Sequence, residues 1–178
     1  AGRRHKMYTL LLVDDEEDVI EVIERKVSWE QIGFHVVGHA GNGFKALEMM
    51  EDMQPDVVMT DIRMPYMDGL ELCSNIRQRF PATKLLLFTG FVDFEYAKEA
   101  VHLEIEEYIL KPLNLAEITE VFKKLKTKLD DELNEKKNTD ILKQYYAASL
   151  PVLQSNFYTT LIEGRIPENE LGRYMRDY

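Results

Sequence analysis

The stretch LLVDDEED, residues 11–18, runs from apolar side chains straight into five consecutive acids, Asp14 to Asp18. With Tyr8, Thr9 and Leu10 ahead of it, the apolar part (YTLLLV, 8–13) has the near-continuous hydrophobicity of a strand covered on both faces, as in a parallel sheet. A core strand that delivers so much negative charge to one point needs a counterpart there. Four further runs share its character: FHVVGHA (34–40), DVVMT (56–60), KLLLFT (84–89) and EYIL (107–110). Between them the apolar period becomes helical. Val19, Ile20, Val22, Ile23 and Val27 form the first stripe, Ala46, Leu47 and Met50 the second, Leu70, Leu72 and Ile76 the third, and Ala97, Ala100 and Val101 the fourth. These alternations predict an α/β fold with a doubly wound, five-stranded parallel sheet.

Composition narrows the class. The chain has 178 residues, 45% of them apolar, enough for one domain of ~100–150 residues and an appendage. Cys73 is the single cysteine, so no internal disulfide is available. No basic-then-apolar leader and no run of ~20 apolar residues is present, which predicts a cytoplasmic protein without a membrane span. Ala1 to Lys6 reads as a polar lead-in outside the fold. The net charge is −10, of which −9 falls in residues 1–125 and −1 in 126–178. Neither part offers the clustered Lys and Arg that phosphate contacts need, so DNA binding is expected only through a domain outside this chain.

Doubly wound sheets carry their sites at the carboxyl ends of the strands, where strand order reverses. Asp14 and Asp15 follow the first run, Asp61 follows the third, Thr89 closes the fourth and Lys111 follows the fifth. A parallel sheet gathers all these ends on one edge. Three carboxylates brought that close resist ionising together unless a cation neutralises them. Oxygen-only donors suit a hard divalent ion, Mg²⁺ better than zinc.

The motifs VDDE (13–16), DIRMPYMDG (61–69), FTG (88–90) and YILKP (108–112), in this order and at these element ends, resemble the receiver domain of bacterial two-component response regulators. The resemblance covers residues 7–125 and implies the flavodoxin-like (βα)5 strand order 2-1-3-4-5. It implies that Asp61 accepts a phosphoryl group from the phosphohistidine of a sensor histidine kinase, with Mg²⁺ required. Asp15 would bind the ion directly, Asp14 largely through water, and the Arg63 backbone carbonyl would add a ligand beside Asp61. Lys111 would neutralise a phosphoryl oxygen and Thr89 would offer its hydroxyl to another, with Lys111–Pro112 expected as a cis peptide. Thr89 and Tyr108 would form the switch, and a homodimer would follow phosphorylation. Arg63 and Phe91 would screen the acyl phosphate from water. The chain would promote its own phosphorylation without being a turnover enzyme.

Taken singly, each residue has a plainer reading. Acids after a strand suit a helix N-terminus; Thr89 suits a strand, Tyr108 a core, Arg63 a surface. Two other functions stay open. One is a phosphorylation-independent dimerisation scaffold. The other is an aspartyl-nucleophile phosphatase of the haloacid dehalogenase type, which usually needs D-x-D where this chain has adjacent acids.

GFVDFEYAKEA (90–100) and SWEQIGFHVVGHAGNG (28–43) resemble the receivers that precede an AraC-type DNA-binding domain. No basic recognition helix precedes the last residues, RDY (176–178), so the expectation is the amino-terminal part of a transcription regulator. Leu115, Ile118, Phe122, Leu125 and Leu129 step by three and four, the rhythm of a helix seam, read either as part of a solvated linker helix or as a parallel coil that pairs two chains. Residues 126–140 read as a charged linker helix, and 141–178 as a helical region leading to the missing domain. Pro151 is expected at a helix start, and a short helix near Pro167 and Glu168. Tyr145, Tyr146, Leu153, Phe157, Leu161 and Ile162 are too apolar for a free linker and are expected to pack on something.

Overall fold

A strand buried on both sides serves two cores at once, because alternate side chains point to opposite faces. The computed structural model describes residues 6–90, 94–112 and 114–162, except for the side chains at 94, 157, 160 and 161. Strands β1 (Tyr8–Val13), β2 (Phe34–Ala40), β3 (Val57–Thr60), β4 (Lys84–Thr89) and β5 (Glu107–Leu110) pair in parallel in the order β2-β1-β3-β4-β5. This is the predicted doubly wound sheet with its predicted strand order. Along β1, Leu10 and Leu12 enter a core with Ile20, Ile23, Phe34, Met59, Phe88 and Phe122. Leu11 and Val13 enter the opposite core with Ala46, Met50, Leu72 and Ile76.

Helices α1 (Glu17–Lys26), α2 (Trp29–Ile32), α3 (Gly43–Met53), α4 (Gly69–Arg79), α5 (Phe94–His102) and the part of α6 (Leu115–Ile162) up to Leu129 cover the two faces. α1 buries Ile20 and Ile23, but Val22 is turned about 100° from Ile23 and lies 46% exposed, so it leaves the predicted stripe. On α5 only Ala100 of the three expected positions is buried; Ala97 and Val101 face out. Tyr96, Ala100 and Leu103 make the contact instead, stepping by four and three. The sequence reading missed α2. Trp29 anchors it, donating its ring N–H to the Ile23 carbonyl at 3.2 Å and standing edge-on to Phe122 at 4.8 Å. Gly33, at φ 88°, ends α2 and lets β2 begin at the next residue.

The chain divides into two compact units, Ala1–Leu129 and Asp130–Tyr178. The first part of α6 belongs to the former. Ile118, Phe122, Leu125 and Leu129 are buried in the first core, with Leu115 packed against it, so this seam is taken by its own sheet rather than by a second helix. Pro151 lies inside α6, not at a helix start. Proline removes one i→i−4 hydrogen bond, but bonded turns on either side carry the helix through. In the second unit Tyr145, Tyr146, Leu153 and Ile162 are exposed rather than packed. The expectations for Phe91 and for a helix near Pro167 and Glu168 lie outside the described residues, as do the side chains of Phe157 and Leu161. No helix among the described residues is long and apolar enough to cross a membrane.

Candidate functional site

α1 follows β1 and packs into the first core, whereas α4 follows β3 and packs into the second. The chain therefore leaves two neighbouring strands toward opposite faces, which opens a crevice between their carboxyl ends. Asp14 and Asp61 stand in that crevice. Each extends its ladder by one residue: the Asp14 N–H donates to the Ala40 carbonyl at 3.1 Å, and the Asp61 N–H to the Val13 carbonyl at 2.9 Å. Both are buried, whereas Asp15 is exposed, and one carboxylate oxygen from each of the three lies within 4.8 Å of the others.

Lys111 reaches the same place from the end of β5. Its Nζ lies 3.0 Å from Asp14 Oδ2 and 3.4 Å from Asp61 Oδ2. The two buried carboxylates are arranged alike. Asp14 Oδ1 accepts from the Glu16 N–H at 2.9 Å, and Asp61 Oδ1 accepts from the Ile62 N–H at 2.7 Å, so each keeps one oxygen for the backbone and one for Lys111. The Lys111 N–H donates to the Thr89 carbonyl at 2.8 Å, tying the ends of β4 and β5 together. Lys111–Pro112 is cis. Lys111 Nζ also lies 5.0 Å from the centre of the Phe88 ring.

Burial pushes the Asp14 carboxyl above the usual carboxylate range, and the nearby charge of Asp61 adds to it; the Glu16 N–H and Lys111 act against both. Burial works against the charge of Lys111, but the hydrogen bond and charge of Asp14, together with Asp61, outweigh it and hold the ammonium above its ordinary range. The crevice thus retains a cation and still carries excess negative charge. Asp14, Asp15 and Asp61 fit a hard divalent ion, since all donors are oxygens and the exposed side of Asp15 leaves room for ligating water.

Of the other predicted residues, Thr89 is fully buried at the end of β4 and Tyr108 is half-buried on β5, opposite Leu87 in the register. Arg63 is exposed, two residues past Asp61. Glu16 was not singled out from the sequence, yet its Oε1 lies 3.4 Å from Lys111 Nζ. Its only signal was its place as the last residue of VDDE. Gly69 was also missed. Its N–H donates to the Ile62 carbonyl at 2.7 Å, and a Cβ there would fall 2.8 Å from the Asp61 carbonyl carbon and against its oxygen, so only glycine lets α4 start this close to the backbone of Asp61 and Ile62.

Residues 10–123 match the family model of the response regulator receiver domain. The chain belongs to this family. It is 37% identical over 137 residues to the transcriptional regulatory protein YesN of Bacillus subtilis, covering 77% of this chain and 37% of that protein. It is 25% identical over 164 residues to the transcriptional regulatory protein HptR of Staphylococcus aureus, covering 92% and 64%. The chain therefore spans less than two thirds of these relatives. Among solved structures, the receiver domain of AraT, a response regulator from Geobacillus stearothermophilus, superposes with a TM-score of 0.68 at 35% identity, covering 71% of this chain and 98% of that one. A two-component transcriptional regulator AraC from Clostridium phytofermentans gives 0.63 at 28% identity, covering 72% and 98%. The receiver is a signalling module of two-component systems, and its homologues here are transcriptional regulators.

Proposed function

We propose that this receiver is a phosphoacceptor in the cytoplasm, and that Asp61 takes a phosphoryl group from the phosphohistidine of a sensor histidine kinase. The observation that carries the reading is the convergence of Asp14, Asp15, Asp61 and Lys111 in one crevice. Asp61 Oδ2 attacks phosphorus in line; the O–P bond forms, the P–N bond breaks, and its electron pair returns to the imidazole. Charge spreads over the peripheral oxygens of a loose transition state, so placed cations supply most of the assistance and no general base is needed. Lys111 is already aimed at Asp61 Oδ2 and neutralises one phosphoryl oxygen. Thr89, at the neighbouring strand end, donates its hydroxyl to another. Asp14, Asp15, Asp61 and the Arg63 carbonyl would hold Mg²⁺, which when bound offsets the charge of the carboxylates and the incoming phosphoryl group.

The readout follows from added charge at Asp61. Thr89 moves toward the new oxygens and Tyr108 turns into the vacated space, altering the face of α5, β5 and α6 on which a phosphorylated homodimer forms. The output is an AraC-type DNA-binding domain lying outside residues 1–178, so the protein regulates transcription rather than turning over a substrate.

Incubation with phosphoramidate and Mg²⁺, followed by mass spectrometry, tests the acceptor. One phosphoryl group should appear on the unmutated chain and none on Asp61→Asn or in EDTA. Labelling that survives Asp61→Asn would refute the assignment. Sedimentation with beryllium fluoride tests the switch, and should show added self-association only in the unmutated chain.

A further inference from the structure

Lys111 has as many carboxylate partners as it has ammonium hydrogens. Its Nζ lies 3.0 Å from Asp14, 3.4 Å from Asp61 and 3.4 Å from Glu16, so holding a phosphoryl oxygen as well requires one of them to give way. Access to water decides which. The side chains of Asp14 and Asp61 are 0% and 8% exposed, whereas that of Glu16 is 64% exposed and can be rehydrated at little cost. Glu16 is the N-cap residue of α1, yet its side chain makes no capping hydrogen bond and turns to Lys111 instead. It also stands apart from Asp14, Asp15 and Asp61, the described carboxylates that lie close enough together to share a metal ion.

We propose that Glu16 selects the phosphodonor by charge, an inference that rests on the phosphoacceptor reading above. Once Lys111 turns to the donor, Glu16 stands at the mouth of the crevice as a carboxylate that has given up its ammonium. Donors that release a neutral group, such as N-phosphoryl amines and imidazoles, are favoured over acyl phosphates, which release an anion. In both reactions Asp61 forms the new O–P bond. With phosphoramidate the P–N bond breaks and its electron pair leaves on ammonia; with acetyl phosphate the P–O bond breaks and the pair leaves on acetate. A loose transition state carries most of that difference, one unit of negative charge, on the departing group. A phosphoryl oxygen held by the same ammonium brings phosphorus within about 8 Å of the Glu16 carboxylate. At that distance a unit charge changes a rate about two-fold in bulk water and about thirty-fold at an effective dielectric constant near 20.

Labelling rates of the full chain with phosphoramidate and with acetyl phosphate, read by intact mass at pH 7 with Mg²⁺, give a donor ratio from which effects common to both donors cancel. Glu16→Gln should lower the preference for phosphoramidate by at least about two-fold. Glu16→Asp, which keeps the charge, should not, nor should Glu17→Gln, which removes the next charge along α1. Salt at about 1 M, where the screening length is about 3 Å, should bring the unmutated chain toward the Glu16→Gln ratio. A ratio unmoved by Glu16→Gln, an equal change in Glu17→Gln, or an unmutated chain whose ratio ignores salt would overturn the proposal while leaving Asp61 as the acceptor. An unmutated chain labelled by neither donor would refute the acceptor assignment and this inference with it.

Discussion

Replacing Lys111 by methionine keeps the unbranched apolar stem of the side chain and the N–H donated to Thr89, and removes the ammonium with its charge and its hydrogen bonds to Asp14, Glu16 and Asp61. The side chains of Asp14, Asp61 and Lys111 are 0%, 8% and 17% exposed, so the carboxylates have little water to turn to when the ammonium goes. Breaking a buried ion pair by removing one partner costs about 3–5 kcal/mol; the partial exposure of Lys111 and the open side at Asp15 place this case near 3. For a chain of this length the melting midpoint should fall by roughly 6–12 °C. The loss should also depend on pH in a defined direction. The folded-state pKa of Asp14 already lies above its ordinary value, and Lys111 is one of the groups holding it down. In the variant it rises further. A carboxyl whose folded pKa exceeds its unfolded one destabilises the fold increasingly as pH rises through that window, and the penalty disappears when the group is protonated in both states. Urea unfolding in EDTA at pH 7.5 and pH 5 should therefore show a larger gap between variant and unmutated chain at the higher pH. Equal gaps at the two values, or a variant as stable as the unmutated chain at pH 7.5, would refute the reading of Lys111 as the counter-charge of this crevice.

Gly69→Ala would push a methyl group into the backbone of Asp61 and Ile62, displacing the acceptor loop or α4; we expect a loss of about 1–3 kcal/mol by urea unfolding together with reduced phosphoramidate labelling, and an unchanged protein on both counts would contradict the packing. Cys73 is buried in α4, and burial pushes its thiol up to about 12. Ellman's reagent at pH 8 should leave it untouched in the native chain and titrate it fully in urea, whereas rapid native labelling would place it elsewhere. Pro151→Ala restores one backbone bond in α6 and removes a residue that costs about 3 kcal/mol in a helix interior; circular dichroism at 222 nm should show more helix retained on heating, and no change would mean that the helix does not continue through this position.

Local patterning made the strands legible. A strand covered on both faces is a short unbroken apolar run, and the helices between such runs keep their own period, so the five-stranded sheet and its class could be read from periodicity alone. The acids and Lys111 could be placed at strand ends for the same reason, since a parallel sheet brings chemically distinct ends to one edge whatever their separation in sequence. The strand order came from the resemblance of the motifs, because pairing between distant strands leaves no mark in any one of them. What only the tertiary structure decided was each contact set by neighbours remote in the chain. Trp29 makes a helix of α2 because Phe122 and the Ile23 carbonyl await it. The seam from Leu115 to Leu129 could have served a second helix as well as its own sheet; periodicity records that a face is apolar, and packing decides what it meets. Glu16 gained a partner 95 residues away, and Gly69 owes its identity to the backbone of Asp61, a clash no local pattern could announce.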